Sequence, residues 1–410
     1  MKVLWFCKGP IPKASEAFGL QISAFEGWLV QTAEIISGVS DIELNIAFIH
    51  SDLKGLQYKK VGGISFWGIE MAGDTKAIMQ VLSEVEPDIV HLWGTENILA
   101  LRASQCCEKQ GLLGKTVVSV QGLVSICAMH YLAGLPWYVQ LIPSFRDIVR
   151  RDSLLKQQKE FYKRGLLEKE TLNRVHHVIG RTTWDYACTK QINPKVNYHF
   201  CNEILRSSFY KSRWELEKCE RYSIFVSQAQ MPLKGFHIML EAMSVVLKRY
   251  PEAKLYVGGA NNSFKSGVLK TAYGSYLQKL IKKYRLEGRV MYLGMLQEEE
   301  MKNQYLASHV FVSCSVIENS PNSLCEAMLL GMPVVASMAG GVTDLLEHGK
   351  EGFIYQSDAP YMLAHYICNF FEDDVLACKL GMSAHTRAQE TNNIEKNVER
   401  LLNIYHEIQS

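Results

Sequence analysis

The chain has 410 residues, with 44 Lys plus Arg against 42 Asp plus Glu and a formal net charge of +2. That length exceeds one ordinary core and divides into two domains of about 200 residues, while the balanced charge argues against nucleic acid or an acidic polymer as partner. Eleven cysteines, scattered without a Cys-x-x-Cys pair, read as reduced thiols of a cytoplasmic protein and not as a disulfide framework or a zinc site.

The N-terminal MKVLWFCKGP has too short an apolar run for a signal peptide and reads as a first buried strand. Nowhere do about 18 apolar residues follow one another, so the expectation is a soluble protein or, at most, one attached to a membrane surface. From Val3 to about Gly180 the runs VLWFC, LNIAFIH, IVHLW, TVVSV and HHVIG alternate with helical patterns near residues 18 to 37, 74 to 86 and 96 to 110. Strand and helix in alternation predict an α/β domain whose parallel sheet is covered on both faces. Polar residues gather at the predicted strand ends: the loop Gly9 to Ala17, Trp93 with Glu96, Gln121 with Gly122, then His130, Arg181 and Asp185. Arg181 and Asp185 stand four apart, the spacing of a helical salt bridge. Residues 145 to 170 carry RDIVRR, KQQKEFYKR and LLEKE, a basic-leaning amphipathic stretch whose plain reading is a solvated helix.

A charged stretch from Arg206 to Arg221 breaks the rhythm, which restarts with YSIFVS, AKLYVGG, RVMYLG, HVFVSC, MPVVAS and EGFIY. The boundaries predicted are a first Rossmann-like domain over 1–205, completed by the C-terminal helix 388–410, and a second over 206–387. Lys234 and Gly235 lie in a strand-to-helix turn, where a lysine is either a point-charge phosphate ligand or a solvated surface residue. Gly294 and Met295 follow a strand, as turn residues do. Glu298, Glu299 and Glu300 read as a solvated helix start favoured by the dipole.

The densest signal is SVIENSPNSLCEAMLLGMPVVASMAGG, with Glu318 and Glu326 eight positions apart. It reads as strand, polar loop, helix stopping at Gly331, and strand. The loop at the carboxyl end of such a strand faces the ligand crevice, and the helix start presents free N–H groups and a positive dipole end, a place for an anion such as a diphosphate. Ser323 and Glu326 also have the spacing of a capping box, in which Glu326 only satisfies backbone donors. That alternative leaves Glu318 and the loop Asn319, Ser320, Pro321, Asn322 without a purpose. Carboxylates accept sugar hydroxyl protons, and Asn, Ser and backbone amides donate to phosphate oxygens.

This segment resembles the signature of retaining glycosyltransferases of family 4, which have the GT-B fold: Glu318, Glu326, Ala327, Met328, Gly331, Pro333 to Ala336, Gly340 and Gly341 all match. The resemblance implies two Rossmann-like domains with parallel sheets facing across a cleft, and a last helix returning to the first domain. It implies that Glu318 contacts the donor sugar, that the loop and the amides from Asn322 through Ser323 to Leu324 hold the diphosphate, and that Glu326 binds the nucleotide ribose. Lys234 and Gly235 match the family's Lys-Gly motif, and the backbone at Gly294 and Met295 matches its base-contacting strand end. The family's arginine about five residues before the lysine is Ala229 here, flanked by Gln228 and Gln230, so a glutamine or a distant arginine would complete the clamp.

On the acceptor side the resemblance is looser. The first loop reads GPIPKASEAFG in place of a glycine pair, and Gln121 stands where a histidine is common. His130 then either supplies the missing imidazole or is structural; Gln121, Glu96, Arg181 and Asp185 are the acceptor-side candidates, with Arg181 and Asp185 able to orient an acceptor phosphate. The stretch 145 to 170 gains a second reading, an interfacial helix that reaches a lipid-linked acceptor at the inner membrane face. The implied activity is metal-independent transfer of a sugar from a UDP or GDP donor to a saccharide or lipid-linked saccharide hydroxyl, with front-face retention, in surface polysaccharide assembly. No cofactor and no metal are expected; the chain lacks an Asp-x-Asp triplet in a plausible strand-end loop. Two rivals remain open, a nucleotide-sugar epimerase of the same fold and a catalytically silent partner of a transferase.

Overall fold

The computed structural model describes residues 1–21, 27–71, 74–259 and 269–410. Of the helical pattern predicted at 18 to 37, residues 22–26 lie outside the described residues, and the helix itself runs Gly27–Ser37. The chain divides into two compact units, one formed by Met1–Ser125, Lys163–Arg206 and Asn392–Ser410, the other by Ile126–Tyr162 and Ser207–Thr391.

The first unit is built on an eight-stranded sheet of β1 (Lys2–Cys7), β2 (Glu43–Ile49), β3 (Leu56–Val61), β4 (Ile64–Ile69), β5 (Ile89–Trp93), β6 (Thr116–Ser119), β7 (His177–Gly180) and β8 (Asn197–Phe200), in the order β3-β4-β2-β1-β5-β6-β7-β8. All neighbours are parallel except β3 and β4, an antiparallel hairpin at the edge. β1, β5 and β6 are buried along almost their whole length, as strands covered on both faces must be. The final helix Ile394–Gln409 buries Val398, Leu401, Ile404, Tyr405 and Ile408. Its Tyr405 hydroxyl accepts from Trp5 Nε1 at 3.0 Å and meets His91 Nδ1 at 2.6 Å, and His91 Nε2 meets Ser119 Oγ at 2.7 Å. Every member of that chain is buried, so its polar atoms are satisfied by one another.

The second unit has a six-stranded, wholly parallel sheet of β9 (Glu220–Val226), β10 (Lys254–Gly258), β11 (Val290–Gly294), β12 (Ser308–Ser313), β13 (Val334–Ser337) and β14 (Phe353–Tyr355), ordered β11-β10-β9-β12-β13-β14. The chain builds outward from β9 to β11 and then returns to β12 on the other side of β9. The carboxyl ends of β9 and β12 therefore flank a topological switch point, the position where open α/β sheets hold ligands.

Residues 126–162, which the sequence boundaries keep with the first half, pack with the second unit. The reason is local. Helix Trp137–Leu141 packs on helix Ala272–Lys283, Ser144 Oγ donates to the Lys270 carbonyl at 2.7 Å, and the Ala272 N–H donates to Asp147 at 2.8 Å. Among the described residues no helix is long and apolar enough to cross a membrane.

Candidate functional site

At the switch point two turns meet. After β9 the chain makes a single turn of 3-10 helix, Pro232–Lys234, closed by Gly235 in the left-handed region at φ +63°. Glycine is required there twice over: a side chain would be strained at that φ, and a Cβ would overlap the Cys314 carbonyl oxygen beyond β12. The two turns are stitched by the Val316 N–H to the Leu233 carbonyl at 2.8 Å and by Cys314 Sγ to the Lys234 carbonyl at 3.2 Å.

The stitching brings Lys234 Nζ onto Glu318 Oε1 as an ion pair, with 24% and 17% of the two side chains exposed. Ser315 Oγ donates to the same oxygen at 2.8 Å. Both contacts fall on Oε1 and neither on Oε2. Burial draws the Lys234 ammonium pKa down, and the Glu318 charge and hydrogen bond more than reverse this, so it stands above the ordinary lysine value. Lys234 is a cation held in place, not a solvated surface lysine. The Gly340–Gly341 turn closes on the same residue, its Gly341 N–H donating to the Glu318 carbonyl at 3.1 Å.

From Glu318 the chain runs through buried Asn319 and Ser320 into helix Asn322–Leu330. Pro321 occupies the N-cap position and contributes no side-chain cap, so the Ser323 to Glu326 capping box is not formed; Ser323 already lies in the first turn, where its carbonyl accepts from the Tyr305 hydroxyl at 2.9 Å. This helix starts four residues after Glu318, so its N-terminal, positive dipole end follows directly on the loop that Glu318 opens; the Leu324 N–H already donates to the Pro321 carbonyl at 3.0 Å. Leu324 and Glu326 are buried on this helix. Gly294 ends β11 at φ +77°, its carbonyl accepting from Gly259 N at 2.8 Å, and Met295 beyond it is exposed. Gln228 is exposed, Ala229 is buried, and Gln230 Nε2 lies 4.0 Å from Met295 Sδ. Gln230 thus borders the β11 end.

In the first unit Arg181 and Gln121 come together. The Arg181 guanidinium pairs with Glu203 at 2.8 Å and donates to the Gln121 carbonyl at 3.0 Å. Gln121 Nε2 is buried with no hydrogen-bond partner among the described residues. Both residues line a pocket of about 470 Å³, open solvent included, together with Trp93, Glu203, Asn397 and Leu401. Asp185 has a different task. It accepts from the Arg181 and Thr182 N–H groups and forms a capping box with Thr182 at the start of helix Thr183–Ile192, with no pairing to the Arg181 guanidinium. Glu96 accepts from its neighbour Thr95 N–H at 3.1 Å and pairs with Arg164 at 3.6 Å. His130 is the last residue of helix Val124–His130, half-buried, and makes no side-chain hydrogen bond among the described residues.

One residue escaped sequence reasoning. Glu168 lies in the stretch read as a solvated helix, yet it is fully buried and accepts from the N–H groups of Val124 at 2.7 Å and Ser125 at 3.2 Å, fixing the start of the helix that carries His130. Burial raises its carboxyl pKa against the lowering effect of those hydrogen bonds. The partner signal was Gly165, where a Cβ would stand 2.7 Å from Ser125 Cα.

Comparison with known proteins follows the same division. Residues 208–390 match the profile of the family described as glycosyl transferases group 1. A putative glycosyltransferase, YtcC, of Bacillus subtilis (strain 168) is 25% identical over 202 residues, 48% of each chain. A D-inositol 3-phosphate glycosyltransferase of Streptomyces avermitilis is 28% identical over 203 residues, 48% of this chain and 42% of the relative. The chain spans about half the length of the curated relatives it matches. Among solved structures, a sucrose-phosphate synthase from Thermosynechococcus elongatus superposes with a TM-score of 0.70 at 15% identity, over 100% of this chain and 99% of that one. Anabaena HepE in complex with UDP-glucose superposes with a TM-score of 0.65 at 17% identity, over 98% and 99% of the two chains. These likenesses show the fold, GT-B with two parallel-sheet α/β domains.

Proposed function

We infer that this chain, whose residues 208–390 fall within glycosyl transferases group 1, is a retaining glycosyltransferase that moves a sugar from a nucleoside diphosphate to a saccharide or lipid-linked saccharide hydroxyl. The observation that carries the reading is the Lys234–Glu318 pair, stitched between the ends of β9 and β12 beside the start of helix Asn322–Leu330. A diphosphate seated there meets the fixed ammonium and the helix N–H groups, so the negative charge that grows on the departing phosphate is met by dipoles and a cation already in place, without a metal ion. Glu318 Oε2 accepts a hydroxyl of the donor sugar, Glu326 the ribose, and the backbone beyond Gly294 the base. The acceptor hydroxyl attacks from the leaving-group side and its proton passes to the departing phosphate oxygen.

The relatives and structural neighbours support the donor class: HepE is named in complex with UDP-glucose, and the relatives include a D-inositol 3-phosphate glycosyltransferase and a mannosylfructose-phosphate synthase. Surface polysaccharide assembly is the setting we assign. The test is a thermal-shift screen against UDP, GDP, ADP and their sugar conjugates, with and without a chelator, followed by product analysis. One nucleotide stabilising the protein without metal, and less so in Lys234→Ala, supports the reading; conversion of the nucleotide sugar without acceptor makes it an epimerase, and binding without hydrolysis or transfer makes it a silent partner.

A further inference from the structure

The two short helices Trp137–Leu141 and Phe145–Arg150 are turned inside out. In the first, Val139 is buried while Trp137 (69% exposed), Leu141 and, just beyond, Ile142 face water; in the second, the buried residue is the carboxylate Asp147, while Phe145 (68% exposed), Ile148 and Val149 (64% exposed) face water. Spacings of four, and of three and four, place these side chains on one outward stripe of each helix. An apolar patch of this kind on a water-facing surface marks an interaction site.

The exposure is not loose packing, because the element is anchored by polar contacts. Asp147 accepts from Ser144 N at 3.1 Å, Arg146 at 3.1 Å and Ala272 N at 2.8 Å, and Ser144 Oγ donates to the Lys270 carbonyl at 2.7 Å. Rotating the second helix to bury its apolar stripe would strand those groups without partners. The charge around the stripe is one-sided. Asp147 and Asp152 share Arg146, at 3.1 and 2.6 Å, which leaves one negative charge there, whereas Arg150, Arg151, Lys156, Lys159 and Lys163 are exposed, with Glu160 the exposed carboxylate among them. Beside Ile142, Lys279 lies 6.0 Å from the Tyr138 ring centre, in a pocket shared with Tyr276 and Ser275.

The geometry points to this surface as a docking face for an anionic phospholipid bilayer, centred on residues 137–149 and not on the 145–170 helix. Trp137 and Phe145 enter the interfacial layer, and Arg150, Arg151, Lys156 and Lys279 lie at the depth of the phosphate headgroups. A second copy of the chain is the poorer occupant, since a two-fold contact brings the same cations against one another.

The test is co-sedimentation of the full chain with vesicles of phosphatidylcholine plus phosphatidylglycerol, against phosphatidylcholine alone, at low and high salt. The expected result is binding to the anionic vesicles, reduced about tenfold or more by Trp137→Ser with Phe145→Ser and Val149→Ser, and about tenfold by Arg150→Glu with Lys156→Glu, which touches no apolar side chain and serves if the triple variant folds poorly. Unchanged thermal midpoints establish that the variants are folded. Absence of binding at low salt, equal binding to both vesicle types, or binding that neither variant alters overturns the proposal, as does a lipid-free dimer in analytical ultracentrifugation that the triple variant dissociates.

Discussion

Lys234→Ala and Glu318→Gln, singly and together, test the site most directly. The two side chains are 24% and 17% exposed, between the fully exposed pairs that contribute about 0.2–1 kcal/mol and the buried ones whose rupture costs about 3–5 kcal/mol. Each single change should therefore cost about 1–2 kcal/mol. Lys234→Ala leaves a part-buried carboxylate with only Ser315 Oγ, at 2.8 Å, as donor, and Glu318→Gln leaves an ammonium facing a neutral amide. The double variant should fall short of the sum by about 1–2 kcal/mol, the coupling that a shared interaction produces. Denaturant unfolding followed by intrinsic fluorescence measures this, and the coupling should survive high salt because part-buried pairs are weakly screened. The functional readout separates the roles: Lys234→Ala weakens donor binding by about 10–100-fold, as loss of a charge-assisted contact does, while Glu318→Gln lowers turnover about 100-fold or more, about 2.7 kcal/mol of barrier, in a folded protein. Additivity within about 0.3 kcal/mol together with ordinary turnover in Glu318→Gln would refute the reasoning.

Gly235→Ala places a β-carbon at φ +63° and into the Cys314 carbonyl, so it should cost about 3 kcal/mol or more and abolish nucleotide binding by shifting Lys234; thermal unfolding with and without nucleotide reads both. Glu326→Ala, on a buried position of helix Asn322–Leu330, should raise the donor KM about tenfold with kcat little changed, as loss of uniform binding does; steady-state kinetics decides it. Acid should destabilise the first unit through His91, whose pKa burial lowers from 6.5 to about 3. A depressed folded pKa means that the unfolded chain takes the proton first, so the stability is present above pH 6.5 and is lost as pH falls toward 3. Between pH 6.5 and 5 the loss from His91 is about 2 kcal/mol, and a denaturation series in which His91→Gln shows the same slope as the parent contradicts it.

Most of the strands were legible because parallel strands covered on both faces carry apolar runs, and β1, β2, β5, β12, β13 and the buried second half of β9 carry them. The hairpin of β3 and β4 was not read, although Gly62–Gly63 at positive φ marks its turn; β3, LQYKKV, is an exposed edge strand whose polar residues hide its period. Glu318 and Lys234 were each visible in a local motif. Their pairing across 84 positions was not, because it depends on β9 lying between β10 and β12, and sheet order is not written in any local spacing. Ser323 and Glu326 had the spacing of a capping box, and the helix start two residues earlier, with Pro321 at the N-cap, displaced it.

Asp147 shows most sharply where periodicity loses to hydrogen bonding. In FRDIVR the apolar residues at 145, 148 and 149 form an ordinary core-facing stripe by spacing alone, and burying three such side chains would gain about 5–8 kcal/mol. The structure instead buries the carboxylate. A helix of six residues has nearly all its backbone donors in its own first turn, so its orientation is set by what caps it, and here the cap is a Ser144–Asp147 box whose carboxylate is also bound to the Ala272 N–H and to Arg146. Releasing that carboxylate would cost it, the Ser144 N–H and the Ala272 N–H their bonds, at about 1–3 kcal/mol each, a loss comparable to the apolar gain, while Arg146 keeps Asp152. The hydrogen bonds therefore hold the stripe outward with no apolar phase to receive it, and a bilayer that did receive it would add the apolar gain to bonds already made.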